Sequence, residues 1–163
     1  VCSMFDQNIS KFKSLVKLKV INGTYMAAGG LFNEETNKPY PLEAVEFSIL
    51  CAQSIAQRNQ QLSGTSSSDM KLAIGINTGG PIISGILGID KPLFDIWGDA
   101  VNISSRLQTS CPPNCIQMSK ETMESLPEGL FDIEMIDGVY LKGKGYTNTF
   151  IISLDAIMHN DSS

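Results

Sequence analysis

Apolar residues recur along the chain with two spacings, and the change from one to the other marks out the elements. Val1, Met4, Phe5 and Ile9 follow helical spacing and predict the tail of a helix over Val1–Ser10. Leu15 to Gly30 reads as two strands joined at Asn22-Gly23, a hairpin signal because both residue types tolerate positive φ. Lys17 and Lys19 lie two apart and are expected on one strand face. Pro41 opens a long helix predicted to reach Leu62. Val45, Ile49, Ala52 and Ala56 form its buried stripe, which Phe47, Leu50 and Ile55 broaden. Ser63 to Ser68 is a flexible loop. Leu72, Ile74 and Ile76 alternate with small or polar residues and predict a half-buried strand; Ile82 to Leu87 is expected to return as its partner after the turn at Thr78–Pro81.

The next stretch changes period within a few residues. Leu93 to Trp97 is apolar and extended, with Asp95 in its middle, and it breaks at Gly98. Ala100, Ile103, Ser104 and Leu107 then make a helical buried stripe. Asp99, Asn102, Arg106 and Thr109 fall on another face, with Asn102 and Arg106 side by side at a spacing of four. Downstream, Cys115–Met118 is a short strand and Ser119 caps a short helix. Phe131–Ile136 and Val139–Leu141 are strands, Lys142-Gly143-Lys144-Gly145 is a basic glycine turn, and Asn148–Leu154 is the closing strand. Residues 155–163 read as a polar tail. Hairpins with helices between them predict an α+β fold, one sheet with helices packed on it, in a single domain without internal repeats.

Composition narrows the function classes. The chain has 163 residues, 42% hydrophobic and 18% charged, enough for a real core and too apolar for disorder. A net charge of −5 argues against a nucleic-acid polymer as partner, although a small phosphate ligand needs only a few local cations. No apolar run approaches the roughly 20 residues of a membrane span. Cys2, Cys51, Cys111 and Cys115 contain no paired C-x-x-C set, so reduced thiols are expected. The chain opens in mid-pattern without Met, which leads us to expect a piece of a longer protein.

Five stretches, in order, resemble the class III nucleotide cyclases, the adenylyl and guanylyl cyclase family. They are Lys17–Leu31, Ile74–Gly79, Ile82–Gly88, Phe94–Arg106 (F-D-I-W-G-x-x-V-N-x-x-x-R) and Lys142–Gly145. The resemblance implies a ferredoxin-like α+β core over residues 1–154, working as a face-to-face dimer with active sites at the interface. It implies conversion of ATP or GTP to the 3′,5′-cyclic monophosphate and pyrophosphate, with Mg²⁺ or Mn²⁺ as cofactor. Lys19 and Asp95 occupy the purine-reading positions, and Lys with Asp is the adenylyl pattern. Asn102 matches the residue that orients the ribose, Arg106 the one that meets charge on the α-phosphate, and Lys142 the one that contacts the terminal phosphates. Lys144 is left as an unassigned second cation of that turn.

The departures from the family pattern concern the metal. Its first metal Asp lies in an F-x-D-I-x-x-F segment after the first strand. Val1–Asp6 looks similar but is too close to Lys19, so that strand and most of the first helix are expected to be missing, leaving a sheet edge unpaired and prone to self-association. The second metal Asp belongs in the tight hairpin turn, where this chain has Gly23. A glycine has no side-chain oxygen for Mg²⁺. The chain thus resembles the second catalytic half of two-part adenylyl cyclases. We expect it to act with a second cyclase domain that supplies the metal acids, and alone to form at most an inactive homodimer. A non-catalytic regulatory or dimerisation module and a guanylyl cyclase are the alternatives. A cytoplasmic location is expected, as the cytosolic part of a larger membrane-bound protein.

Overall fold

The computed structural model describes residues 1–63 and 69–160. The loop expected at Ser63–Ser68 lies outside the described residues from 64 on. The chain runs α1 (Cys2–Ile9), β1 (Leu15–Ile21), β2 (Thr24–Gly29), α2 (Tyr40–Leu62), β3 (Ala73–Ile76), β4 (Ile83–Leu87), β5 (Leu93–Trp97), α3 (Asp99–Ser110), β6 (Cys115–Met118), α4 (Lys120–Glu124), β7 (Glu134–Leu141), β8 (Gly145–Ser153) and α5 (Leu154–Asn160). The fold is α+β, as expected.

The strands do not form one sheet. Among the described residues they make a four-stranded sheet, β3-β6-β8-β7, and two separate ribbons, β1-β2 and β4-β5. β3 runs parallel to β6, and the other pairings are antiparallel. β4 therefore pairs with β5 and not with β3, contrary to the sequence expectation. The short link between β4 and β5 suits a local hairpin, and β6 takes the edge of β3. The second edge of β3 has no strand partner among the described residues. Strands expected at Phe131–Ile136 and Val139–Leu141 merge into β7, whose register slips between Ile136 and Val139. Leu154, expected to end the closing strand, and residues 155–160, expected as the start of a polar tail, form α5 instead; 161–163 lie outside the described residues. Leu154 explains the docking of that helix, because it is buried in the main core beside α2.

α2 serves two cores. Leu42, Val45 and Ala52 face Ile116, Met118, Ile152 and Leu154 under the sheet. Phe47, Cys51 and Ile55 face Phe5, Ile9 and Leu15 beneath the β1-β2 ribbon. α1 is tied to that ribbon through Asp6, which accepts from Lys17 Nζ and Tyr25 Oη, each at 2.8 Å. Asp6 is therefore occupied on a helix, consistent with the spacing that separates it from the metal-acid segment.

α3 is seated on β3 by close backbone contact. Ser104 Oγ donates to the Gly75 carbonyl at 3.1 Å, and Asn77 Nδ2 donates to the Ala100 carbonyl at 3.0 Å. A Cβ on Gly75 would lie 2.2 Å from Gln108 N and 2.4 Å from the Ser104 carbonyl oxygen. These are backbone atoms, so only a shift of α3 relieves the clash. Gly75→Ala is expected to destabilise the domain by about 1–3 kcal/mol, the usual cost of overpacking. Thermal denaturation checks this, at about 2–4 °C per kcal/mol for a domain of this size.

Candidate active site

Lys19 and Lys17 do not share a face, because β1 carries a bulge between them. Lys17 lies opposite Ala27 and Lys19 opposite Met26, so Leu18 is the extra residue. Lys17 consequently turns to Asp6, while Lys19 reaches β5 and pairs with Asp95, Nζ to Oδ2, at 2.6 Å. The side chain of Asp95 is 8% exposed and that of Lys19 27%. The other oxygen of Asp95 accepts the Ile96 N–H at 2.9 Å. The Lys19 hydrogen bond, followed by that N–H, holds the Asp95 carboxyl below the usual carboxylate range.

A lowered folded-state pKa stabilises the fold above the unfolded value, and the benefit disappears as pH falls through the folded one. The stability contributed by Asp95 should therefore stay constant from neutral pH to about pH 5 and decline below about 3.9. Thermal midpoints of Asp95→Asn and the parent across that range check this; the gap between them should close on acidification.

β5 delivers Asp95 and then turns at Gly98 into α3. Asp99 sits in the first turn of that helix, at the positive end of its dipole. Ile103 and Leu107 are buried against Leu141, as the periodicity predicts. Asn102 is exposed and Arg106 half-buried, one turn further along. The Arg106 guanidinium lies against Gly143 in the β7–β8 turn: Nη1, Nη2 and Cζ are 3.3, 3.5 and 3.6 Å from the position of a Cβ there. No carboxylate of the described residues pairs with Arg106, Lys142 or Lys144. Arg106 thus lies against a turn that carries Lys142 and Lys144, in a chain that is acidic overall.

The structure sorts the expected residues into two groups. Lys19 and Asp95 form one; Arg106 and the Lys142 turn form the other, with Asn102 on α3 between Arg106 and the Gly98 corner. Cavities of about 490 Å³ beside Asn33–Tyr40 and 330 Å³ behind α3 are not lined by any of the five. Asp95 is buried, Arg106 is half-buried and Asn102 is exposed.

Among the described residues, the hairpin position expected to carry a metal acid offers no side-chain oxygen. Gly23 sits at the exposed tip of the β1-β2 ribbon with nothing within 4 Å of a Cβ position. No group of three or more His, Cys, Asp or Glu side chains converges among the described residues.

One feature of the site escaped the sequence reading. Ile83 pairs with Trp97, Gly85 with Asp95 and Leu87 with Leu93, so these residues share one ribbon face. Ile83 is 67% exposed, Leu87 48%, Leu93 47% and Trp97 38%, which frames Asp95 in uncovered apolar surface. The adjacent apolar pairs Ile82-Ile83 and Ile86-Leu87, on either side of Ser84-Gly85, were the available signal, since a half-buried strand would alternate.

Residues 1–154 match the family model of the adenylate and guanylate cyclase catalytic domain. The chain is 36% identical over 154 residues to adenylate cyclase type 9 of Gallus gallus, covering 90% of this chain and 11% of the relative. Its identity to the receptor-type guanylate cyclase gcy-27 of Caenorhabditis elegans is 32% over 154 residues, with 90% and 20% covered. It therefore spans only about a tenth to a fifth of the length of these relatives. Among solved structures, the adenylyl cyclase CyaB from P. aeruginosa superposes with a TM-score of 0.81 at 20% identity, covering 93% of this chain and 77% of that one. The catalytic core of a rhodopsin-guanylyl cyclase with converted specificity, in complex with ATPalphaS, gives 0.76 at 25% identity, with 91% and 76% covered. No helix of the described residues is long and apolar enough to cross a membrane. The motif series, the α+β core and the family match over residues 1–154 agree: the chain belongs to the adenylate and guanylate cyclase catalytic domain family.

Proposed function

We propose that this chain is the purine-binding and transition-state half of an adenylyl cyclase, completed by a second cyclase domain across an interface. The observation that carries the reading is the Lys19–Asp95 pair at 2.6 Å. An ammonium donates to a ring-nitrogen acceptor of adenine, and a carboxylate accepts from the adenine amino group. Guanine meets this pair with mismatched donors and acceptors, at roughly 1–3 kcal/mol for each buried group left unpaired.

The remaining roles follow from position and chemistry. Asn102 orients the ribose so that its 3′-oxygen faces the α-phosphorus. As the new P–O bond forms and the bond to pyrophosphate breaks, Arg106 offers a planar fork of donors to the charge gathering on the phosphate oxygens. Lys142 holds the departing pyrophosphate end. The acids for Mg²⁺ or Mn²⁺ come from the partner, since this chain has Gly23 at the hairpin tip. The apolar face around Asp95 is the surface that the partner covers. The parent protein places the domain in the cytoplasm, with any membrane anchor outside this stretch.

The test mixes the chain with a cyclase domain carrying both metal acids and supplies ATP and GTP in separate reactions. Cyclic AMP from ATP with little product from GTP is expected. Preference for GTP would make it a guanylyl cyclase, and no contribution to turnover would make it a regulatory module.

A further inference from the structure

We propose that Gly143 is a positioning residue, the bare platform that sets the guanidinium of Arg106 for the reaction; this rests on the function proposed above. Nη1, Nη2 and Cζ of Arg106 are nearly equidistant, at 3.3–3.6 Å, from the point a Cβ of Gly143 would occupy. Distances this close to one another place that point well out of the guanidinium plane, displaced toward the two Nη atoms. A side chain at residue 143 would therefore press on the guanidinium from out of its plane, and glycine leaves that space free.

The turn is built to present that platform. Lys144 N–H donates to the Leu141 carbonyl at 2.9 Å, and Gly143 has φ +80°, the value required at the third position of a type II turn. The backbone conformation itself favours glycine there. The open face beneath the guanidinium is a second, separate requirement. It also couples two cations: Lys142 precedes Gly143 in the turn, so the seat of Arg106 fixes how α3 approaches Lys142.

Gly145 provides an internal control. Its φ is +81°, and a Cβ there would meet nothing within 4 Å. Asn tolerates positive φ better than most residues, so Gly143→Asn and Gly145→Asn impose similar backbone demands. Only the first puts a side chain under Arg106. The chain has two arginines, Arg58 and Arg106, so the side-chain Nε–Hε resonances are assigned by one Arg58→Lys spectrum.

Gly143→Asn should move the Arg106 resonance, leave that of Arg58 in place, and lower kcat of the mixed pair about tenfold or more, with KM for ATP within about twofold. Gly145→Asn should do none of these. An unmoved Arg106 resonance, a moved resonance with unchanged kcat, or equal losses in both variants would overturn the assignment. A wild-type mixture that makes no cyclic AMP would instead remove the functional reading beneath it, while the resonance would still report the contact.

Discussion

Arg106→Ala is expected to lower kcat of the mixed pair about 100- to 1,000-fold, the usual cost of removing a preorganised transition-state donor. KM for ATP should change little. The size follows from where the guanidinium sits. It is half-buried against Gly143, without a carboxylate partner among the described residues, so its charge is not spent on the fold. Thermal stability should therefore change by much less than turnover. Arg106→Lys keeps the charge and loses the planar fork, and should recover only part of the rate. Equal losses in kcat and stability would point to a structural arginine.

The second large effect concerns the ribbon face around Asp95. Ile83→Asp together with Leu87→Asp should leave the isolated chain folded, since Ile83 is 67% and Leu87 48% exposed. In the mixture the same changes should weaken pairing. Full burial of an aliphatic side chain contributes about 1.5–3 kcal/mol, of which the exposed fractions of Ile83 and Leu87, 67% and 48%, remain to be gained, and a buried unpaired carboxylate adds a penalty of its own. A loss of about 10²- to 10⁴-fold in pairing affinity is expected, at tenfold per 1.4 kcal/mol. Activity measured against partner concentration reads this directly, because saturating partner should restore much of the rate. A lost rate that no excess of partner recovers would move the role of this face from assembly to chemistry.

The sequence made some of this legible and not the rest, for identifiable reasons. Periodicity located α1, the β1-β2 hairpin, α2 and α3, because each buries a stripe that local spacing reports. The α3 stripe of Ile103 and Leu107 is buried as predicted, which puts Asn102 and Arg106 outward. The motif series picked out the candidate site residues, and the structure pairs Lys19 with Asp95 and sets Arg106 against the turn that carries Lys142. Strand pairing was less legible. Nothing local distinguishes a partner of β3 from a partner of β5, and β6, almost forty residues downstream of β3, took the edge. The bulge at Leu18 was invisible to a period-of-two reading, so Lys17 and Lys19 were expected together and face different partners. Gly143 looked like turn chemistry alone, because its contact with Arg106 joins elements far apart in sequence. The helix at 154–160 depends on Leu154 finding the main core, a tertiary fact that polar composition does not announce.

The measurement closest to the central claim is cyclic AMP formation from ATP with Mg²⁺ by three samples. These are this chain alone, a cyclase domain that has both metal acids but lacks the Asn and Arg of the shared site, and the two mixed. A half-site predicts turnover in the mixture only, with rate saturating as either component is added. Normal enzymatic turnover by this chain alone would contradict it.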